Sequence, residues 1–209
     1  FNKVIKIANF IYKYDLPANL KLAKILAVDT EAMGLVTQRD RLCVVQISDG
    51  NGNAHIVHFP EPKYEAPNLK KILSDNELTV IFHFARFDIA ILNYYLDIKF
   101  KKIYCTKIAS RLARTYTDHH GLKDLCSEFL KINLSKQQQS SNWGNEVLSE
   151  AQIKYAAQDV LHLHKIRNFL DKMLLESGRY DLAEKCFKFL ETRVELDLKG
   201  FLELDIFHH

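Results

Sequence analysis

The sequence predicts an α/β layered domain, a mixed five-stranded sheet flanked by helices with additional C-terminal helices. Three observations carry that prediction. Short apolar, β-branched runs separated by turn residues fill the first half of the chain, and helical spacing of apolar residues fills the second. A β-α-β passage lies between them.

Residues 1–20 read as an N-terminal extension, broken by Lys3 and Lys6, and residues 21–207 as one domain. KILAVDT (24–30) is an apolar run ending in polar residues, the first strand. RLCVVQIS (41–48) is rich in β-branched residues, and DGNGN (49–53) is a strong turn signal, so NAHIVHF (53–59) returns as the second arm of a hairpin. APNLKKILSD (66–75) reads as a short helix, LTVIFHF (78–84) as a buried strand, and ARFDIAILNYYL (85–96) as a helix. KKIYCT (101–106) is the fifth strand. From Lys107 onward the pattern is helical: KIASRLART, GLKDLCSEFL, one long helix over 149–178, then YDLAEKCFKFLETRVELDL. Gly121, Gly144 and Gly178 mark the breaks.

With 209 residues, 47% hydrophobic and 26% charged, the composition is that of a globular domain and excludes a disordered or fibrous chain. The net charge, 29 − 26 = +3, is weakly basic. A polyanionic partner would therefore be gripped by a local patch and not by a global field. Cys43, Cys105, Cys126 and Cys186 form no C-x-x-C pair, so free thiols are expected in place of a zinc or disulfide framework. No run approaches the roughly 18–20 apolar residues that span a bilayer. A cytoplasmic protein without a membrane partner is the expectation.

Four acidic positions stand out. Asp29 and Glu31 leave the otherwise uncharged first strand at i and i+2, and so share a face. Taken alone, such a pair is usually a solvated turn. Asp88 follows a buried-type strand where a helix begins; it could simply complement the helix dipole. Tyr155 and Asp159 stand at i and i+4 in YAAQD, with Ala156 and Ala157 small enough to let the helix lie close to the sheet. Together, four carboxylates with a tyrosine beside the last are the donor set that two Mg²⁺ or Mn²⁺ ions require.

The order VDTE, H-x-x-x-x-D, Y-x-x-x-D resembles the three exonuclease motifs of the DEDD superfamily in its tyrosine-bearing (DEDDy) branch. KQQQSSNW (136–143) is similar to the ribonuclease D group. RDRLCVVQIS, FHFARFDIAIL, CTKIASRLARTYTD and the closing LDLKG…LDIF resemble its short members of the nano-RNase C type. The likeness covers roughly residues 20–207, with no departure at the five catalytic positions, and no additional RNA-binding domain is expected.

This resemblance implies a ribonuclease H-like fold and a 3′–5′ exoribonuclease acting on very short single-stranded RNA, dinucleotides above all, as a homo-octamer. It implies Asp29, Glu31, Asp88 and Asp159 as metal ligands and Tyr155 as the residue that orients the attacking water. For substrate contacts it points to Met33, Gly34 and Leu35 after the first motif, His83 as a donor to phosphate or sugar, and Lys136 and Gln139 before the catalytic helix. Of the basic residues between 101 and 123, Lys107, Arg111, Arg114 and His120 are candidates to cap a 5′ phosphate. Trp143 is expected in a core role. Two other readings remain open: 3′ trimming of longer RNA or single-stranded DNA, and a non-catalytic nucleic-acid-binding module.

Overall fold

The computed structural model describes residues 8–135 and 137–208. Six strands form one sheet: β1 (Ala8–Lys13), β2 (Ile25–Ala32), β3 (Leu42–Ser48), β4 (Asn53–His58), β5 (Thr79–Phe82) and β6 (Lys102–Cys105). Their order is β1-β4-β3-β2-β5-β6. β2 pairs antiparallel with β3, and β3 with β4. The pairings β1–β4, β2–β5 and β5–β6 are parallel, so the sheet is mixed, as the sequence predicts.

The expected five strands become six. Residues 8–13, placed by their sequence in an N-terminal extension, add an edge strand beside β4. Their pattern is weak because most of β1 remains exposed, so no inward-facing apolar stripe marks it. The same stretch is tied in further on, where Asp15 accepts hydrogen bonds from the backbone N–H groups of Asn68 (3.0 Å) and Leu69 (2.8 Å). These are the free first-turn donors of helix α1 (Pro67–Leu73).

β3 is buried at every position, which explains its near-continuous apolar run. Helix α2 (Ala85–Leu96) follows β5, and α3 (Thr106–Ala113) follows β6 directly. Then come α4 (Leu122–Leu125) with a π-helical turn (Cys126–Leu130), α5 (Glu150–Leu161), α6 (Leu163–Glu176) and α7 (Tyr180–Leu196), which runs into a second π-helical turn (Asp197–Phe201). The helix expected over 149–178 is two: at His162, the cap shared by both, φ widens to −106° (ψ −12°) and the helical run is interrupted. No Gly or Pro announces that break. α5 packs across β1 to β4, while α6 and α7 pack against β5 and β6. Cys43, Cys105, Cys126 and Cys186 are free thiols. Among the described residues no helix is long and apolar enough to cross a membrane.

Candidate active site

The C-terminal half of the central strand β2 carries Asp29 and Glu31 on one face. Across the ladder Gln46, fully buried on β3, donates from Nε2 to Asp29 Oδ2 at 2.7 Å and fixes that carboxylate. A shift of register between Glu31 and Ala32 bends the strand just past the pair. α5 begins with a capping box in which Ser149 Oγ accepts from Gln152 N (3.2 Å) and Gln152 Oε1 from Ser149 N (3.0 Å). Ala156 and Ala157 are buried, which lets this helix lie close to the sheet and brings Asp159 to the end of β2. Carboxylate oxygens of Asp29, Glu31 and Asp159 lie within 4.8 Å of one another. Tyr155, one turn before Asp159, is half-buried beside it and lines the same cleft.

Asp88 stands apart from that trio. It lies in the first turn of α2, 3% exposed, and accepts a 2.7 Å hydrogen bond from Thr30 Oγ1. Thr30 sits between Asp29 and Glu31, so the bond holds Asp88 against β2 beside the cluster, close enough for its charge to act on both.

Among the described residues none of the four acids makes an ion pair. Burial, then mutual repulsion, raises Asp29 and Glu31 well above the usual carboxylate range. Burial pushes Asp88 up to about 7 against the Thr30 hydrogen bond, and Asp159 up to about 7 against the neighbouring Tyr155 hydroxyl. Crowded oxygen donors that hold each other's protons suit a hard divalent cation, which would neutralise them.

These shifts have a measurable consequence. With folded values near 7 against 3.8 for the free side chain, the folded, metal-free protein holds protons that the unfolded chain has lost. Stability therefore falls as pH rises through 7. Below about pH 6.5 half-buried His83, pushed down to about 3 mainly by desolvation, works in the opposite direction. The acids' share is lost between about pH 4 and pH 7 and is nearly exhausted one unit higher. With free histidine titrating at about 6.5, it dominates between about pH 6.5 and pH 7.5. In EDTA the melting temperature is expected to drop across that window, and Asp159→Asn to flatten the slope. Equal slopes for the two proteins would overturn the assignment.

The cluster lies at one side of a cleft of about 760 Å³. Met33, Gly34, Leu35, His83, Lys107 and Gln139 line it, as the sequence suggests. At Gly34 a Cβ would stand 2.4 Å from Asp40 Oδ2, and that same oxygen accepts from Val36 N at 2.9 Å. Leu35 beside it is 82% exposed. Lys136 lies outside the described residues. Lys123, part of the basic cluster between 101 and 123, also lines the cleft, as do Phe84, Ser140 and Ser141, which the sequence does not single out. Phe84, 48% exposed, was hidden inside the apolar run of the preceding strand.

The remaining basic candidates lie elsewhere. Arg114 is 1% exposed, paired with Glu128 and donating to Ser110 Oγ (3.0 Å) and His119 O (2.6 Å). His120 Nδ1 meets Ser110 Oγ at 2.9 Å in the same network. Arg111 lines a neighbouring groove. A phosphate cap built from these three would have to draw Arg114 out of its ion pair.

The hydrogen-bond chain at His83 fixes its tautomer. Thr106 Oγ1 donates to Phe82 O (3.1 Å), so its single proton is used and it accepts from His83 Nδ1 (2.9 Å). The ring is neutral with Nε2 as an acceptor, where a donor had been expected. The loop before α5 is secured by Arg41, which donates to Phe59 O (2.7 Å), Pro60 O (2.8 Å) and Gly144 O (3.2 Å). Trp143 is buried beneath it with its ring 5.9 Å from that of Tyr155.

A mixed sheet with carboxylates gathered at the end of its central strand defines a ribonuclease H-like domain of the exonuclease type. Residues 13–175 match the 3'-5' exonuclease family. Ribonuclease D of Gluconacetobacter diazotrophicus is 31% identical over 162 residues, 78% of this chain but 41% of that protein. The chain thus spans about two-fifths of that relative's length. Among solved structures, Brucella melitensis NrnC bound to pGG has a TM-score of 0.93 and 50% identity, covering 98% of this chain and all (100%) of that one. The same nuclease with bound Mg²⁺ has a TM-score of 0.91 and 49% identity, with 97% and 100% coverage. The chain belongs to the 3'-5' exonuclease family, in the ribonuclease D-like group that includes NrnC.

Proposed function

We propose that the chain is a metal-dependent 3′–5′ exoribonuclease that hydrolyses very short RNA, dinucleotides above all, to nucleoside 5′-monophosphates. The observation that carries this is the convergence of Asp29, Glu31 and Asp159 within 4.8 Å, with Tyr155 beside them in a cleft. Asp29, Glu31, Asp159 and Asp88 would hold two divalent cations, Mg²⁺ or Mn²⁺. Bound there, such a pair supplies Lewis-acid activation of water and stabilises charge on the leaving oxygen. Tyr155 orients the attacking water. Burial and nearby acids keep its phenol protonated well above the ordinary value, so it positions the water and does not remove its proton.

Met33, Gly34 and Leu35 receive the 3′-terminal nucleoside, with Leu35 wedged against a base. Gln139 meets the nucleotide from the loop before α5, and Lys107 and Lys123 grip phosphate. His83, an acceptor at Nε2, is matched to a ribose hydroxyl and not to a phosphate oxygen. The cleft volume falls within the roughly 300–1,000 Å³ of small-ligand sites, which favours a dinucleotide over a long polymer. Brucella NrnC, solved with pGG and with Mg²⁺, supports both the substrate class and the cofactor. The family resemblance supports a homo-oligomer, an octamer.

Initial rates on 2-mers, 7-mers and 20-mers, in RNA and DNA, test the reading with Mn²⁺ or Mg²⁺ and with Asp88→Ala beside the wild type. The diribonucleotide is expected to be cleaved fastest, with loss of turnover in EDTA and in Asp88→Ala. Faster cleavage of 20-mers would favour 3′ trimming of longer chains instead. Metal-dependent binding without product would leave only a binding module.

A further inference from the structure

A second groove, of about 490 Å³, adjoins the cleft and shares Phe84 and Lys107 with it. Between α3 and α7 its floor is apolar, formed by Ile108, Phe189 and Leu190, while Arg111 and Lys185 stand on its rim. Both cations are exposed, and neither has an acidic partner among the described residues.

Arg86 and Arg193 line the same groove but are committed. They converge on buried Asp197 and hold the chain as it leaves α7: Arg86 Nη2 donates to Leu202 O (2.8 Å) and Arg193 Nη2 to Phe201 O (2.7 Å). The segment so anchored, Leu202-Glu203-Leu204-Asp205-Ile206-Phe207, alternates apolar and acidic residues through Asp205. Leu202, Leu204, Ile206 and Phe207 are 46%, 56%, 44% and 66% exposed. Phe207 reaches only the margin, its ring 6.1 Å from that of Phe189.

One face of the molecule therefore carries two halves of a contact side by side: a cation-rimmed apolar groove and an acidic apolar segment fixed at its edge. The segment's own arginine anchors hold its backbone on the rim, leaving its side chains unburied. A face that is complementary to itself pairs with its own copy across a two-fold axis, each segment entering the other's groove. Exposed apolar side chains this close together mark such a surface.

We infer that residues 202–207 of one copy dock into the α3–α7 groove of a second copy, with Glu203 and Asp205 meeting Arg111 and Lys185. The inference rests on the homo-oligomer reading above and names the surface that makes the contact. It also places one wall of the contact at Phe84, which belongs to the cleft, so assembly and substrate binding share a residue.

Light scattering on the full chain at micromolar concentration tests it. The double variant R111E/K185E and the double variant E203K/D205K are each expected to lower the mass at least twofold. Combining all four changes is expected to restore it, a rescue that misfolding of either parent would not give. Leu204→Asp, which leaves the charges on the groove untouched, is expected to dissociate the assembly as well. An assembled wild type whose mass none of these changes alters overturns the inference and leaves the oligomer reading standing. A monomeric wild type overturns both. Weaker binding of 20-mer RNA by R111E/K185E at unchanged mass overturns it in favour of nucleic acid as the occupant. Diribonucleotide turnover, measured in parallel, reports separately on the exonuclease reading.

Discussion

Asp159→Ala is expected to lower diribonucleotide hydrolysis by about 10³-fold, the scale on which a single charge-stabilising group acts at a reacting centre. Asp159 is the only member of the close trio that β2 does not supply, so its loss opens the cluster while Asp29 remains held by Gln46. The helix has other anchors: the Ser149–Gln152 capping box, buried Ala156 and Ala157, and Gln152 Nε2 donating to Asn142 O at 3.1 Å. The variant should therefore fold. Calorimetric titration with Mn²⁺ is expected to show weaker binding and less proton release than in the wild type, because an acid near pKa 7 no longer has to ionise. Wild-type turnover in a folded Asp159→Ala protein would remove this residue from the ligand set.

Tyr155→Phe is the second large effect. It deletes one oxygen and keeps the ring that lies 5.9 Å from Trp143, so the packing under the loop survives. Turnover is expected to fall by about 10²–10³-fold, the range for losing one positioned hydrogen-bonding group at a reacting centre. KM should move far less, because in the proposed mechanism the phenol acts on the water and not on the nucleotide. The pH–rate profile separates orientation from base catalysis. A phenol whose pKa lies above its ordinary value does not ionise in the working range, so the wild type should show no limb assignable to it. Unchanged turnover at saturating metal would remove Tyr155 from the mechanism.

The acids were legible because each pair sits at the period of its own element: two residues apart at a strand end, four apart on a helix. Such spacings are local, and they survive without knowledge of tertiary contacts. What the sequence concealed was tertiary in origin. Arg114 read as a free cation because its partner Glu128 lies 14 residues on, across a turn and a helix. Asp88 read as an equal fourth ligand, and only the fold reveals that Thr30, 58 residues away, holds it beside the trio. β1 escaped notice because an exposed edge strand needs no apolar stripe, and its pairing with β4 is made by backbone groups that carry no sequence signal. His83 was placed correctly in the cleft, but its polarity depended on the Thr106–Phe82 hydrogen bond and so was misjudged.

The wall of the cleft at residues 33–40 distributes its tolerance unevenly. The space a methyl at Gly34 would need is already filled by Asp40, whose carboxylate closes the turn onto Val36. Next to it, Leu35 is 82% exposed on the cleft wall. Substitution is therefore expected to be tolerated at Leu35, where under the proposed function it would retune which bases are admitted while the backbone path beneath stays fixed.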